Sequence, residues 1–135
     1  KESRRIPLKQ ENIDFIKQTM VGVTTDAGMP GTGVRAFANA GYISGGKTGT
    51  AQVIGLKGQK YNASRIAARF RDNALYIAFA PADKPRIALA MVVENAGFGA
   101  ATAAPIARKA MDYYLLGKRP AVKQPPAAAA AQTGH

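Results

Sequence analysis

The stretch "GYISGGKTGTAQ", from Gly41 to Gln52, contains two overlapping sequence motifs that share one lysine. Gly41, four residues and then Gly46-Lys47-Thr48 satisfy the phosphate-loop pattern G-x-x-x-x-G-K-[ST]. Lys47-Thr48-Gly49 also satisfies the K-T-G element of a class of serine acyl-transfer enzymes. The first motif needs a helix directly after the lysine, whereas the second needs a strand, so the surrounding sequence has to discriminate between them.

The residues around the motif do not suit a phosphate loop. Such a loop follows a buried hydrophobic strand and opens a helix, whose N-terminal amides bind the phosphates. Here "RAFANA" precedes Gly41, and "GTAQVIG" follows Thr48. Glycine and β-branched residues in the second segment favour an extended backbone over a helix. We therefore favour the strand interpretation.

An extended backbone from Tyr42 to Val53 has a direct chemical consequence. Side chains alternate along a strand, so Lys47 and Gly49 share one side while Thr48 and Thr50 share the other. A peptide could pair with this strand, with its carboxylate held by the lysine and the hydroxyls and its carbonyl oxygen facing a backbone N–H. By spacing alone, a glycine-flanked edge strand with an exposed lysine and no catalytic role fits equally well.

The flanking sequence predicts an α+β fold. Residues 74–80 and 86–93 alternate with the period of strands, and the intervening "PADKP" predicts a tight turn, which together indicate an antiparallel hairpin. Both strands are apolar on both sides, so we expect helices to cover each face of the sheet, the alanine-rich side allowing the closest approach.

Helices are predicted on both sides of these strands. One runs from Gln10 to about Val23, and "VRAFAN" is long enough for one further helical turn. Another begins after Thr102, which suits an N-cap, and ends at Gly117. The apolar stripe of the first helix comprises Ile13, Ile16, Met20 and Val23, and that of the last comprises Ile106, Ala110, Tyr113 and Tyr114.

Composition excludes several functions. The chain lacks cysteine, its single histidine is the last residue, and its eight carboxylates are scattered, so we expect neither a metal site nor a cofactor. The basic residues behind the net charge of +11 cluster at the two ends and in a middle group from Lys57 to Arg71. In the middle, Arg65 and Arg69 lie four apart on a short helical pattern typical of a solvated surface, with glycan contact as an alternative and nucleic-acid binding not expected.

The domain boundaries are also predicted from composition. No apolar run approaches the roughly 20 residues needed to span a bilayer. The chain starts at Lys1 without a methionine or a signal pattern, so we expect it to be part of a longer protein. Residues 1–117 are predicted to be the folded portion, and the Pro/Ala-rich segment from Lys118 to His135 a disordered tail.

The segments "SGGKTGTAQV", "YNASRIAARFRDNALYIAFAP", "PRIALAMVVENAGFG" and "AAPIARKAMDYYL" together resemble the C-terminal part of the transpeptidase domain of class B penicillin-binding proteins. The resemblance runs from about Leu8 to Leu116. K-T-G alone is a weak match, but the order of these segments is highly specific. The resemblance implies part of the penicillin-binding and serine β-lactamase-like fold, an antiparallel sheet covered by helices.

The resemblance also implies an activity and its residues. It implies a peptidoglycan D,D-transpeptidase that is acylated at a serine by stem peptides and trapped by β-lactams. Lys47 and Thr48 would help to bind the carboxylate and shape the proton network, Gly49 would clear space, and Thr50 would give its N–H to the oxyanion and its hydroxyl to the carboxylate. A D,D-carboxypeptidase, a β-lactamase-type hydrolase and a non-catalytic glycan-binding module remain alternatives.

The serines depart from the family pattern. The family places its nucleophile in S-x-x-K and a second serine in S-x-N, but Ser3, Ser44 and Ser64 are not followed by asparagine two residues on. Ser44 to Lys47 fits S-x-x-K literally, yet residues three apart on a strand point to opposite sides. We expect the nucleophile upstream of Lys1, so that this chain alone is inactive.

The family further implies several partners and a location. The chain would need the remainder of its own polypeptide, which carries the S-x-x-K and S-x-N motifs. The whole protein would act with a membrane glycosyltransferase of cell elongation. It would be a periplasmic domain held by an inner-membrane anchor outside this chain.

Overall fold

The computed structural model describes residues 6–25, 31–55, 62, 64 and 66–121 of the 135-residue chain. Within these residues, three helices, three strands and a 3-10 turn follow one another. They are α1 (Gln10–Thr25), α2 (Val34–Phe37), β1 (Gly45–Ala51), the 3-10 turn (Ala68–Phe70), β2 (Asn73–Ala80), β3 (Ile87–Val93) and α3 (Ala103–Leu116). Among these residues no helix is both long and apolar enough to cross a membrane.

The three strands form one antiparallel sheet in the order β1-β2-β3. The predicted hairpin is confirmed as β2 and β3, whose turn is closed by the Arg86 amide donating to the Ala80 carbonyl at 2.8 Å. The turn is also joined to the segment before β1, because the Ala82 amide donates to the Ile43 carbonyl. β1 is shorter than the extended segment predicted from Tyr42 to Val53.

Helix α3 covers one face of the sheet, but with a different side than the sequence predicts. Its stripe of large residues was expected to face the core, yet Tyr113 and Tyr114 are each 55% exposed and Ile106 and Ala110 are also exposed. The buried residues of α3 are instead Ala103, Ala104, Ala107 and Met111. They lie against the alanine-rich side of β2, formed by Ala74, Ala78 and Ala80 around Tyr76. Small side chains on both elements allow this close approach, which large aromatic residues would prevent.

The ends of α3 test two further predictions. Thr102 occupies the N-cap position, but its hydroxyl does not cap the helix; it donates instead to the Ala96 carbonyl at 3.0 Å. The threonine thus fastens the β3–α3 loop rather than the first helical turn. The predicted end at Gly117 is confirmed, because this glycine adopts φ 67° and its amide donates to the Tyr113 carbonyl.

Tyr76 is the largest side chain of the core that is completely buried. Its ring stacks on Phe37 of α2 with centroids 5.7 Å apart. A Cβ at Gly46 would overlap the Tyr76 hydroxyl, and one at Gly33 would lie 3.4 Å from it. β1 can therefore lie over this ring only because position 46 carries no side chain.

Arg108 joins α3 to the loop between α2 and β1. Its guanidinium donates to Asp112 Oδ1 at 2.7 Å and to the carbonyls of Ala36, Ala38 and Asn39. Asp112 also accepts the Tyr42 hydroxyl at 2.9 Å. Burial, together with the hydrogen bond to Asp112, raises the pKa of Tyr42 above its ordinary value. This cluster holds the chain that leads into β1 against α3.

The second face of the sheet is open in the described part of the chain. Ile77 is 49% and Val92 is 60% exposed there, and Phe15 and Ile16 on α1 are exposed as well. Within the described residues a helix covers only one face, and cover on the second face stays a prediction. The apolar residues of this face remain available to structure outside them.

The basic middle segment and the tail are only partly described. Arg65 and residues 122–135 lie outside the described residues. Arg69 belongs to the 3-10 turn, where its guanidinium lies 4.5 Å from the centre of the Phe70 ring. Residues 118–121 have no regular secondary structure, and the disordered tail stays a prediction.

Substituting Gly46→Ala should lower the free energy of unfolding by about 2 kcal/mol, because the added methyl group overlaps Tyr76. The double variant Gly46→Ala/Tyr76→Phe should recover part of that loss. Gly22→Ala is the control: nothing lies within 4 Å of its Cβ position in α1, so it should be neutral or stabilising by up to about 1 kcal/mol. Urea unfolding of the intact protein measures all three, and equal effects at both glycines would contradict the packing described.

Substituting Arg108→Ala should destabilise the protein by about 3 kcal/mol, because it leaves Asp112 and three carbonyls without their donor. Both charged side chains are mostly buried, at 15% and 18% exposure. The neighbouring Lys109→Ala, at an exposed position, should change stability by less than about 0.5 kcal/mol. Arg108→Lys should lie nearer to alanine than to arginine, since one ammonium cannot reproduce the planar fork of donors. Thermal unfolding of the three variants tests this order.

Candidate functional site

The candidate site is the outer edge of β1. This strand pairs with β2 along one side and is an edge strand of the sheet formed by the described residues. The K-T-G-T residues occupy its middle, with Lys47 opposite Ile77 and Thr50 opposite Ala74. An edge strand offers backbone N–H and C=O groups to a further extended chain. β1 is therefore placed to bind a peptide along its free edge.

The alternation predicted for the motif is confirmed by the strand register. Lys47 and Gly49 share a face with Ile77 and Leu75, whereas Thr48 and Thr50 share the face of Tyr76 and Ala74, on which α3 packs. Lys47 and Thr50 are exposed, and Thr48 is half-buried. The lysine and the two threonines thus lie on opposite faces of one edge strand.

Lys47 has no carboxylate partner among the described residues. Its ammonium donates instead to the carbonyl of Thr48 at 2.8 Å, while the side chain stays exposed. An ammonium group has three donors, so this contact leaves two for other acceptors. The positive charge at the strand edge is available to an anionic ligand.

Gly49 is closely surrounded by Leu75 and by the loop after β3. A Cβ there would point to the Leu75 side and lie 3.3 Å from the Leu75 Cβ atom, so alanine would be tight but not excluded. Gly99, in the β3–α3 loop, approaches the backbone of this residue so closely that its own Cβ would lie 2.5 Å from the Gly49 carbonyl oxygen. The loop after β3 therefore packs against the backbone of the K-T-G glycine, a contact that no local sequence pattern indicates.

Thr48 is held by a residue that the sequence analysis did not single out. The hydroxyls of Thr48 and Thr32 lie 2.9 Å apart. Thr32 lies between Gly31 and Gly33 in the turn before α2, 16 residues earlier in the chain. The flanking glycines mark a turn, but nothing in the local sequence connects that turn to β1.

The described serines do not offer a nucleophile at this edge. Ser44 precedes β1 and is only 2% exposed, and its carbonyl accepts the Thr24 hydroxyl. The serine of the literal S-x-x-K match is therefore buried, where a substrate does not reach it. Ser64 is exposed and donates its hydroxyl to Asn62, and Ser3 lies outside the described residues.

Comparison with known families and proteins agrees with this geometry. The family described as the penicillin-binding protein transpeptidase domain matches residues 1–112. The peptidoglycan D,D-transpeptidase MrdA of Haemophilus influenzae is 47% identical over 95 residues, which cover 70% of this chain and 15% of that protein. MrdA of Escherichia coli K12 is 43% identical over 105 residues, covering 77% and 16%.

Solved structures give the same result. The crystal structure of Pseudomonas aeruginosa PBP2 in complex with WCK 5153 superposes with a TM-score of 0.65 at 34% identity, covering 84% of this chain and 22% of that one. Helicobacter pylori PBP2, in its complex with MreC, has the same fold at 23% identity, with a TM-score of 0.66 over 86% of this chain and 20% of that one.

The chain spans about one sixth of the curated relatives and about one fifth of the solved chains that it matches. Within that span, the family match covers most of the chain, and the sheet and helices have the fold of PBP2. The chain belongs to the transpeptidase domain family of the class B penicillin-binding proteins and is similar to PBP2.

Proposed function

We propose that this chain is the part of a peptidoglycan D,D-transpeptidase that provides the K-T-G-T edge of the active site. The observation that carries the proposal is that β1 is an edge strand of the described sheet and presents Lys47, Thr48 and Thr50. Backbone pairing would align the stem peptide along this edge. The chain's relatives named as D,D-transpeptidases support the reaction class.

In the proposed reaction, the nucleophile comes from outside this chain. A serine of an S-x-x-K motif attacks the carbonyl carbon of the penultimate D-Ala, and the bond to the terminal D-Ala breaks as its amine leaves with a proton. The amine of a second stem peptide then attacks the acyl ester, which forms the cross-link and returns the proton to the serine. A fragment without that serine is inactive on its own.

The residues of β1 have separate roles in this proposal. Lys47, with no carboxylate partner in the described chain, attracts the terminal carboxylate of the donor peptide and supports the proton network. The hydroxyls of Thr48 and Thr50 donate to the same carboxylate. The backbone N–H of Thr50 stabilises the oxyanion that forms at the attacked carbonyl. Gly49 leaves room for the substrate backbone beside the lysine.

The same groups account for the proposed inhibition by β-lactams. A β-lactam presents a carboxylate and a reactive amide to the edge of β1, and its opened ring stays attached to the serine. In this proposal the remainder of the polypeptide supplies the S-x-x-K and S-x-N motifs and covers the open sheet face around Ile77 and Val92. In the whole protein this domain lies in the periplasm and is held by an inner-membrane anchor. The protein works with a membrane glycosyltransferase.

In the intact protein, we expect a fluorescent penicillin to acylate one site and to remain bound. Substituting Lys47→Ala should lower the second-order rate constant of acylation by about 100-fold, because a charge that stabilises the bound carboxylate and the transition state is lost. Lys84→Ala, at an exposed position in the β2–β3 turn, is the matched control and should react like the wild type. The rate is measured by following label on the protein band over time.

Other outcomes separate the alternative functions. Absence of acylation in the wild type would contradict the proposed acyl-transfer function and leave the glycan-binding alternative. Acylation followed by rapid hydrolysis would indicate a β-lactamase-type hydrolase. Stable acylation with release of D-Ala from stem peptides, but no cross-linked product, would indicate a D,D-carboxypeptidase.

A further inference from the structure

The Thr32–Thr48 contact joins the K-T-G-T strand to a turn outside the motif. The two hydroxyl oxygens lie 2.9 Å apart, and either could donate. Thr32 is exposed and Thr48 is half-buried, so the pair lies at the boundary between the core and the surface. A residue so close to a proposed carboxylate-binding hydroxyl can control the direction in which that hydroxyl points.

The turn that carries Thr32 is held firmly by α1. The Gly33 amide donates to the Val23 carbonyl at 2.9 Å, and the Val34 amide donates to the Gly31 carbonyl at 3.1 Å. A Cβ at Gly31 would lie 2.7 Å from the Gly22 carbonyl oxygen, and one at Gly33 would lie 3.2 Å from that of Val23. The Gly-Thr-Gly turn can therefore lie against the end of α1 only because residue 31 is glycine, and a side chain at residue 33 would be tight.

The same end of α1 also holds the start of β1. The buried Thr24 hydroxyl donates to the carbonyl of Ser44, the residue directly before the strand. Thr32 and Thr48 are thus both positioned from one helical turn, Val23 with its carbonyl and Thr24 with its hydroxyl. These contacts position the backbone next to each threonine.

Which hydroxyl of the pair donates determines whether the Thr48 proton is available to a ligand. A hydroxyl has one proton to donate and two lone pairs that can accept. If Thr48 donated to Thr32, its proton would be unavailable to a carboxylate. If Thr32 donates to Thr48, the Thr48 oxygen is occupied as an acceptor and its proton is directed elsewhere. The hydrogen bonds in a chain of hydroxyls that ends on an anion also strengthen one another.

We propose that Thr32 is a positioning residue that donates to Thr48 Oγ1 and so directs the Thr48 proton toward the carboxylate of the donor peptide or β-lactam. This inference rests on the proposed function, since it needs a carboxylate at the edge of β1. It assigns no contact between Thr32 and the substrate. Its effect on reactivity acts through Thr48 alone.

The test uses the intact protein and two acylating probes that differ only in the carboxylate. Benzylpenicillin carries the free carboxylate, and benzylpenicillin methyl ester masks it. Thr32→Val keeps the shape of the side chain and removes the hydroxyl, whereas Thr32→Ser keeps the hydroxyl. Thr19→Val is the control, because Thr19 is exposed on α1 and its hydroxyl bonds only within that helix, to Ile16.

We expect Thr32→Val to slow acylation by benzylpenicillin about tenfold and to change acylation by the ester less than twofold. Thr32→Ser should restore the wild-type rate, and Thr19→Val should not alter it. In a Thr48→Val background, Thr32→Val should have no further effect, since the only route of its action is gone.

Two results would overturn the inference. An unchanged rate with benzylpenicillin in Thr32→Val would show that the hydroxyl has no role, and an equal loss with both probes would show a general structural effect. If Thr32→Val fails to fold, Thr32→Ala provides the same comparison. Failure of the wild type to react with benzylpenicillin at all would instead contradict the proposed function, so the two ideas fail in different ways.

Discussion

The position of β1 depends on the buried ring of Tyr76. This ring stacks on Phe37 beneath the strand, and Gly33 and Gly46 lie against its hydroxyl. The hydroxyl has no hydrogen-bond partner among the described residues, and burial raises the pKa of Tyr76 to about 12, so the phenol stays neutral. The Tyr76 ring therefore supports β1 by filling space beneath it and not by hydrogen bonding. It supports β1 from the core side at Gly46, where the strand has no side chain.

Two further attachments determine how the chain enters β1. The Arg108–Asp112 pair fastens the loop before the strand to α3, and Thr24 of α1 holds the Ser44 carbonyl at its start. Gly99, in the β3–α3 loop, approaches the backbone of Gly49. These contacts are all made by residues outside the K-T-G-T motif. They explain why a short glycine-rich strand, which has little intrinsic rigidity, can hold the side chains of the motif at fixed positions.

The sequence predicted the elements well where local signals were strong. The hairpin was indicated by alternation on both sides of a proline-bounded turn, and the end of α3 by Gly117. The face of α3 was predicted wrongly, because hydrophobicity favours burying Tyr113 and Tyr114 over alanine. That choice depends on the partner surface: the alanine side of β2 accepts a helix only at close range, where small residues fit.

The sequence by itself determined which side chains of the K-T-G-T strand share a face, because the period of a strand is two and needs no partner. It also identified the family, whose motifs lie in a specific order along the chain. The tertiary structure alone decided that β1 is an edge strand of the described sheet, that Ser44 is buried, and that Thr32 meets Thr48. The reason is that each of these facts is a contact between residues far apart in sequence, set by how α1, α3 and β2 pack. No periodicity within a single segment contains that information.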